Sequence, residues 1–249
     1  MQRPVNGMLS PGLASSPELG QAFELKFHLS PTTAEFIESW ARQHLLPDMH
    51  GNDGAYSITS VYCDTPAFDV FHRNPGFRRN KFRLRRYGDS TSIFLERKRK
   101  KGECVLKTRV EIPDEQLPVL DIESPPPDWT GAWFIQRLRK RGLRPTVRVA
   151  YRRTAFMAMV GTSPVRLTLD RDVVGVATRD WDVLPVPNGQ PLLPGNVLLE
   201  LKFHVHMPVL FQELLPHLPS RPGRSSKYRL CVESCGLVKT GEPPCRETA

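Results

Sequence analysis

Asn80-Lys81-Phe82-Arg83-Leu84-Arg85-Arg86-Tyr87 alternates basic and apolar side chains, the period of a β-strand. Lys81, Arg83 and Arg85 then share one face, and Phe82 and Leu84 the other. The next two stretches continue the pattern. Over 92–100, Glu96 and Lys98 share a face with Phe94, opposite Ile93 and Leu95. Over 104–112, Lys107, Arg109 and Glu111 lie opposite Leu106, Thr108, Val110 and Ile112. The intervening Tyr87-Gly88-Asp89-Ser90 and Lys101-Gly102 suit antiparallel hairpins. Like charges directly opposite one another across strands destabilise a sheet, and a solvated face normally mixes signs. Faces dominated by Lys and Arg make physical sense when a polyanion neutralises them.

Outward from this centre, strand patterns recur at Phe23–Leu29, Tyr56–Cys63, Thr146–Met159, Val165–Val174 and Val197–His206. Arg166, Thr168 and Asp170 face away from Val165, Leu167 and Leu169. The pentapeptide Glu24-Leu25-Lys26-Phe27-His28 recurs as Glu200-Leu201-Lys202-Phe203-His204. In each copy the polar residues share a face; either copy alone would pass for an amphipathic strand with a wet side, and a chance match is compatible with the repeat. Helices are expected at 31–46, opened by Ser30 as N-cap with Pro31 in the first turn, and at 67–72, 129–141 and 208–215. Strands outnumber helices and show no βαβ rhythm. The expected fold is therefore α+β but mainly β: an eight-stranded antiparallel tunnel barrel with a polar, basic interior and helices packed outside.

The chain has 249 residues and a formal charge of +9, which calls for an anionic partner. It has no apolar run long enough to span a bilayer and no secretory signal pattern, and so is expected in the cytoplasm. Its five cysteines, Cys63, Cys104, Cys231, Cys235 and Cys245, are scattered without C-x-x-C spacing, as reduced structural thiols would be. Residues 1–20 are expected to form a flexible leader, 21–236 one domain, and 237–249 a flexible tail. RNA binders usually add exposed aromatics to a basic surface. Here Phe82 falls on the apolar face, so no nucleic-acid partner is expected. His204-x-His206 has no evident third ligand for zinc, and no Ser–His–Asp or Cys–His set is present.

The segments that carry these patterns resemble the VTC (vacuolar transporter chaperone) polyphosphate polymerase domain, a branch of the triphosphate tunnel metalloenzymes. They are, in order, Phe23-Glu24-Leu25-Lys26; Ser60-Val61-Tyr62-Cys63-Asp64-Thr65-Pro66; Lys81-Phe82-Arg83-Leu84-Arg85-Arg86-Tyr87; Phe94-Leu95-Glu96-Arg97-Lys98; Tyr151-Arg152-Arg153-Thr154-Ala155-Phe156; Val165-Arg166-Leu167-Thr168-Leu169-Asp170; Leu199-Glu200-Leu201-Lys202-Phe203; and Ser226-Lys227-Tyr228. Each is weak alone; their family order is the strong signal.

The resemblance implies an enzyme that transfers the terminal phosphate of ATP to a growing inorganic polyphosphate chain. By it, Lys26, Arg83, Arg85, Lys98, Arg153, Arg166 and Lys227 hold phosphates and Glu200 binds a divalent metal, Mn²⁺ or Mg²⁺. Lys107 and Lys202 are added from face geometry, and Glu24 and Glu96 as further metal ligands or partners of neighbouring cations. Hydrolases and cyclases of the superfamily begin with Glu-x-Glu-x-Lys; here the first position is Ala22, which favours the polymerase branch. The alternatives are an inorganic or nucleoside triphosphatase on the same fold, and a non-catalytic polyphosphate-binding module. Coupling to transport would need a membrane-protein partner.

Overall fold

A computed structural model describes residues 22–49, 51, 53–78, 80–101, 104–223 and 226–238. The expected leader and the tail beyond 238 lie outside the described residues. The elements are β1 (Ala22–Leu29), α1 (Pro31–His44), β2 (Leu46–Pro47), β3 (Ala55–Asp64), α2 (Asp69–His72), β4 (Asn80–Tyr87), β5 (Ser92–Lys101) and β6 (Cys104–Pro113). A 3₁₀ turn (Asp114–Leu120) leads to α3 (Ala132–Lys140), β7 (Arg144–Val160), β8 (Ser163–Ala177), β9 (Gln190–Pro191), β10 (Val197–His204), α4 (Val209–Gln212) and α5 (Lys227–Ser234).

Local chemistry sets the boundaries. Ser30 caps α1, its side chain accepting from Thr33 N at 3.2 Å, and leaves Pro31 where a missing N–H costs nothing. Asp64 ends β3 and receives the backbone N–H groups of Val70 and Phe71 at 2.8 and 3.0 Å. That carboxylate holds the single turn of α2, which is shorter than the expected 67–72. Gly161 joins β7 to β8 with φ +61, the first position of a two-residue hairpin turn that needs a left-handed backbone.

All ladders are antiparallel, in the order β1-β10-β8-β7-β3-β4-β5-β6, with β2 added to β7 and β9 to β8. The sheet rolls far enough for Lys98 Nζ on β5 to lie 3.3 Å from Glu24 Oε2 on β1. Among the described residues no ladder joins β6 to β1, so the expected barrel is a deeply rolled sheet rather than a hydrogen-bonded ring. The edge of β1 is occupied otherwise: Gly223 N donates to Lys26 O at 2.7 Å, taking an acceptor that strand closure would use.

Two apolar layers cover the convex side. Ala34, Ile37 and Ala41 of α1 pack on Phe27, Leu167, Leu169, Leu199 and Leu201, while Phe134, Ile135 and Leu138 of α3 belong with Phe82, Leu84, Ile93 and Leu95. These are the apolar faces read from alternation. α5 lies elsewhere. A Cβ at Gly175 would come 2.3 Å from Cys231 Sγ, and Gly175 pairs with Val149 on the face that carries Arg153. Thus α5 caps one end of the concave side, where Val147 and Val149 replace charge, and its first residue, Lys227, enters the hollow.

Candidate functional site

The repeated pentapeptides meet over their first three residues, 24–26 against 200–202. Leu25 stands opposite Leu201, which sets Lys26 opposite Glu200 and Glu24 opposite Lys202. An Glu-x-Lys strand is self-complementary when paired antiparallel with its own copy, since every carboxylate then meets an ammonium. Lys26 Nζ sits 3.1 Å from Glu200 Oε1 and 2.9 Å from Glu24 Oε1, and Lys202 Nζ 3.8 Å from Glu24 Oε2. On the other face Phe23 and Phe203 stack with centroids 5.6 Å apart. Local charge matching therefore accounts for the Glu-x-Lys part of the repeat.

A buried knot adjoins this pair. Arg153 grips Asp170 with Nε–Oδ1 at 2.6 Å and Nη2–Oδ2 at 2.7 Å. Lys227 Nζ lies 2.5 Å from Asp170 Oδ2 and 3.4 Å from Glu200 Oε1, and Arg153 Nη2 lies 3.5 Å from Glu200 Oε2. Burial pushes the Glu200 carboxyl up, but Lys227, Lys26 and Arg153 outweigh it and hold the group well below the ordinary range; the charged form is therefore resident.

On the opposite wall, register places Lys81 opposite Lys98 and Lys98 opposite Lys107. Lys107 Nζ reaches Glu96 Oε1 at 2.7 Å, Lys98 leans to Glu24, and Lys81 reaches the Ser226 hydroxyl at 3.2 Å. Arg83 pairs with Glu96 at 2.6 Å. Arg85 is held by neutral acceptors, Ser60 Oγ at 2.9 Å and Tyr151 Oη at 3.2 Å, and feels Glu96 only at longer range. Tyr62, Lys81, Arg83, Glu96, Lys98 and Lys107 line a cleft of about 50 Å³, room for a few waters at most. A phosphate chain would have to swing these long side chains aside. Burial lowers Lys81 and Lys202 to about 8. For Tyr62, burial pushes the phenol up, yet Arg83, Arg85 and Lys227 together draw it down to about 8.

The twelve expected site residues thus lie on the concave face or reach into it. Arg166 sits at the rim of the knot, paired with Asp48 and with Tyr56 Oη at 2.9 Å. Glu96 shares its contacts with Arg83, Lys107 and Arg109, whereas Glu24 and Glu200 share Lys26. Sequence reasoning passed over Lys81, Asp170 and Tyr62 as site residues. Parity already put Lys81 and Asp170 on the right face; Tyr62 gave no charge signal at all.

Among the described residues no group of three His, Cys, Asp or Glu side chains could hold a metal ion. The oxygen donors present nevertheless fit a cation that arrives with phosphates. Glu24 and Glu200 already converge on one ammonium, and the buried Thr168 Oγ1, opposite Glu200 in the ladder, has no hydrogen-bond partner. One or two carboxylates plus substrate oxygens is the usual coordination of Mg²⁺ in phosphoryl-transfer sites.

Three solved structures are similar to the chain at low identity. The PH1819 protein from Pyrococcus horikoshii OT3 is 17% identical, with a TM-score of 0.47, over 85% of this chain and 98% of that one. A putative adenylate cyclase from Bacillus halodurans is 14% identical, with a TM-score of 0.47, over 79% and 89%. A putative adenylyl cyclase from Hippeastrum, described as having a dominant triphosphatase activity, is 14% identical, with a TM-score of 0.48, over 84% and 94%. No curated protein sequence matches the chain. The VTC domain family matches residues 21–235, which takes in the whole rolled sheet and α5, and the chain belongs to that family.

Proposed function

We propose that this chain is a metal-dependent polyphosphate polymerase that transfers the terminal phosphate of ATP to a growing inorganic polyphosphate chain. The observation that carries the reading is the row Lys81–Lys98–Lys107, directly opposed across three strands and continuous with Arg83 and Arg85. Such a row is costly to assemble; Glu96 and Glu24 offset Lys107 and Lys98 in part, and an extended polyphosphate supplies one further charge per link. Arg83, Arg85, Arg153 and Arg166 offer planar forks for phosphate oxygens, and Lys26, Lys98, Lys107, Lys202 and Lys227 point charges.

The transfer forms a bond from a terminal polyphosphate oxygen to the γ-phosphorus and breaks the bond to the β,γ-bridging oxygen, releasing ADP. The acceptor oxygen is already ionised, so no general base is required. The residues' task is in-line positioning and charge neutralisation. A bound Mn²⁺ or Mg²⁺ would supply further neutralisation of the leaving phosphate, with Glu200 and Glu24 as its protein ligands. Among the described residues no helix is long and apolar enough to cross a membrane. The proposed setting is the cytoplasm, with a membrane-protein partner wherever synthesis is coupled to transport.

The test is incubation of purified protein with ATP and Mn²⁺, followed by sizing of acid-labile polymer. Polymer longer than triphosphate supports the polymerase. Release of phosphate or pyrophosphate alone points to a triphosphatase, and retained polyphosphate affinity without ATP consumption to a binding module.

A further inference from the structure

A second cluster of guanidinium groups lies on the other side of the same wall. On β5, Lys98 points into the hollow, so Arg97 and Arg99 point out, and Arg97 stands beside Phe82 and Thr108. Phe82 meets Phe134 of α3 edge-on, centroids 5.7 Å apart, which brings the basic C-terminal end of α3 alongside. Partial burial lowers the pKa of Arg97, and the neighbouring Arg137, Arg99 and Arg141 lower it further. Among the described residues no carboxylate forms an ion pair with any of the four.

What holds these groups is neutral. Arg97 donates from Nε and Nη2 to Asn80 Oδ1 at 3.2 and 2.8 Å and lies over the Phe82 ring at 5.6 Å. Arg141 donates from Nη1 to Gly76 O at 2.8 Å and lies over the Phe77 ring at 5.7 Å. Amide oxygens, carbonyls and ring faces orient a guanidinium without cancelling its charge. Two of the four, Arg97 and Arg141, are aimed in this way; the other three cations repel Arg97, and an arriving anion removes that repulsion.

We propose that Arg97, Arg99, Arg137 and Arg141 form an exterior polyanion site that takes the inorganic polyphosphate chain where it passes over the rim from the Lys81–Lys98–Lys107 row. The site rests on the polyphosphate reading of the hollow, and polyphosphate is favoured over nucleic acid by adjacency. Asn80, which holds Arg97, is the strand neighbour of Lys81, and Lys98, half-exposed at the mouth, separates Arg97 from Arg99. Arg97 and Arg99 flank Lys98 in β5 but face the other side of the sheet, so a chain leaving the cleft reaches them by passing over the strand end.

The test measures binding of long-chain inorganic polyphosphate and of tripolyphosphate, without ATP, to the full chain and to Arg137→Gln/Arg141→Gln. The expected result is a loss of about tenfold in affinity for the long chain, with a salt dependence shallower by about one unit of log–log slope per arginine removed. Tripolyphosphate binding should be unchanged. Arg141→Lys, which keeps the charge, should recover most of the loss, and matching thermal melts exclude unfolding. Unchanged long-chain affinity overturns the site, as does an equal loss for both ligands. Single-stranded RNA bound as tightly as polyphosphate of matched charge, and lost in parallel, also overturns it. Because no turnover is read, absence of polymer synthesis from ATP would fail the polymerase reading while leaving this result standing.

Discussion

Lys26 and Glu200 stand directly opposite each other in neighbouring strands, ammonium to carboxylate at 3.1 Å. Glu200 also contacts Lys227 and Arg153, so three cations share one carboxylate, and the two buried ones have only Asp170 besides it among the described carboxylates.

Glu200→Gln should therefore destabilise the ligand-free protein by about 3 kcal/mol or more, because it strands buried charge. Urea unfolding measures the loss. Tripolyphosphate should then stabilise the variant against heat more than it stabilises the parent, since its oxygens replace the missing charge. Equal ligand-induced shifts in Tm would contradict the placement of phosphate beside Glu200.

Glu24 and Glu96 separate by their company. Each meets three cations, Lys26, Lys98 and Lys202 for Glu24 and Arg83, Lys107 and Arg109 for Glu96, but of the two only Glu24 shares a cation, Lys26, with Glu200. Glu24→Gln is expected to raise the half-saturating Mn²⁺ concentration for turnover by about tenfold or more, the scale seen when metal-site partners are lost. Glu96→Gln should leave it within about twofold by the same reasoning. A larger effect at Glu96 would reverse the assignment.

Much of this site was legible because strand parity is strict. Once Lys81, Arg83 and Arg85 alternate with Phe82 and Leu84, the two faces of β4 follow, and ladder register does the rest. The pairing of residues 24–26 with 200–202 was visible only as a repeat, since sequence identity carries no information about partner or direction. α5 was harder still. Tyr228, Cys231 and Val232 are buried, but helical spacing of apolar residues does not say which side of a sheet receives them. The small residue that admits α5, Gly175, reads in sequence as a mere weakness in β8. The 3₁₀ turn at Asp114–Leu120 hid in a Pro-rich stretch, where a short turn leaves no periodicity.

Lys202 and Lys81 give the site a pH dependence. The Lys202 side chain is 40% exposed, yet it opens into the hollow rather than into bulk water, and burial brings it to about 8, as it does Lys81. Both are charged at neutral pH and lose that charge as pH rises through 8. Anion binding favours the protonated form, so affinity falls above this point and binding takes up protons. Between pH 7 and 9 the tripolyphosphate Kd should rise by about tenfold per lysine involved. Lys202→Arg, which stays charged, should flatten its share of the profile. A profile unaltered by that change would remove Lys202 from the site.

Tyr228 links the closure of the hollow to its chemistry. Its hydroxyl donates to Asp64 Oδ2, and the same carboxylate receives the N–H groups of α2, so α5 is tied to the end of β3. The residue before Tyr228 is Lys227, whose ammonium reaches both Asp170 and Glu200. Loss of the tie should let the first turn of α5 shift and carry Lys227 with it. Tyr228→Phe is expected to cost about 1–3 kcal/mol, since it leaves a buried acceptor short of a donor. Tripolyphosphate affinity should fall several-fold as well. A purely structural role predicts that this loss adds to that of Lys227→Gln. A positioning role predicts that Tyr228→Phe costs little further affinity once Lys227 is already Gln, and the double-mutant cycle on binding, rather than on stability, distinguishes the two.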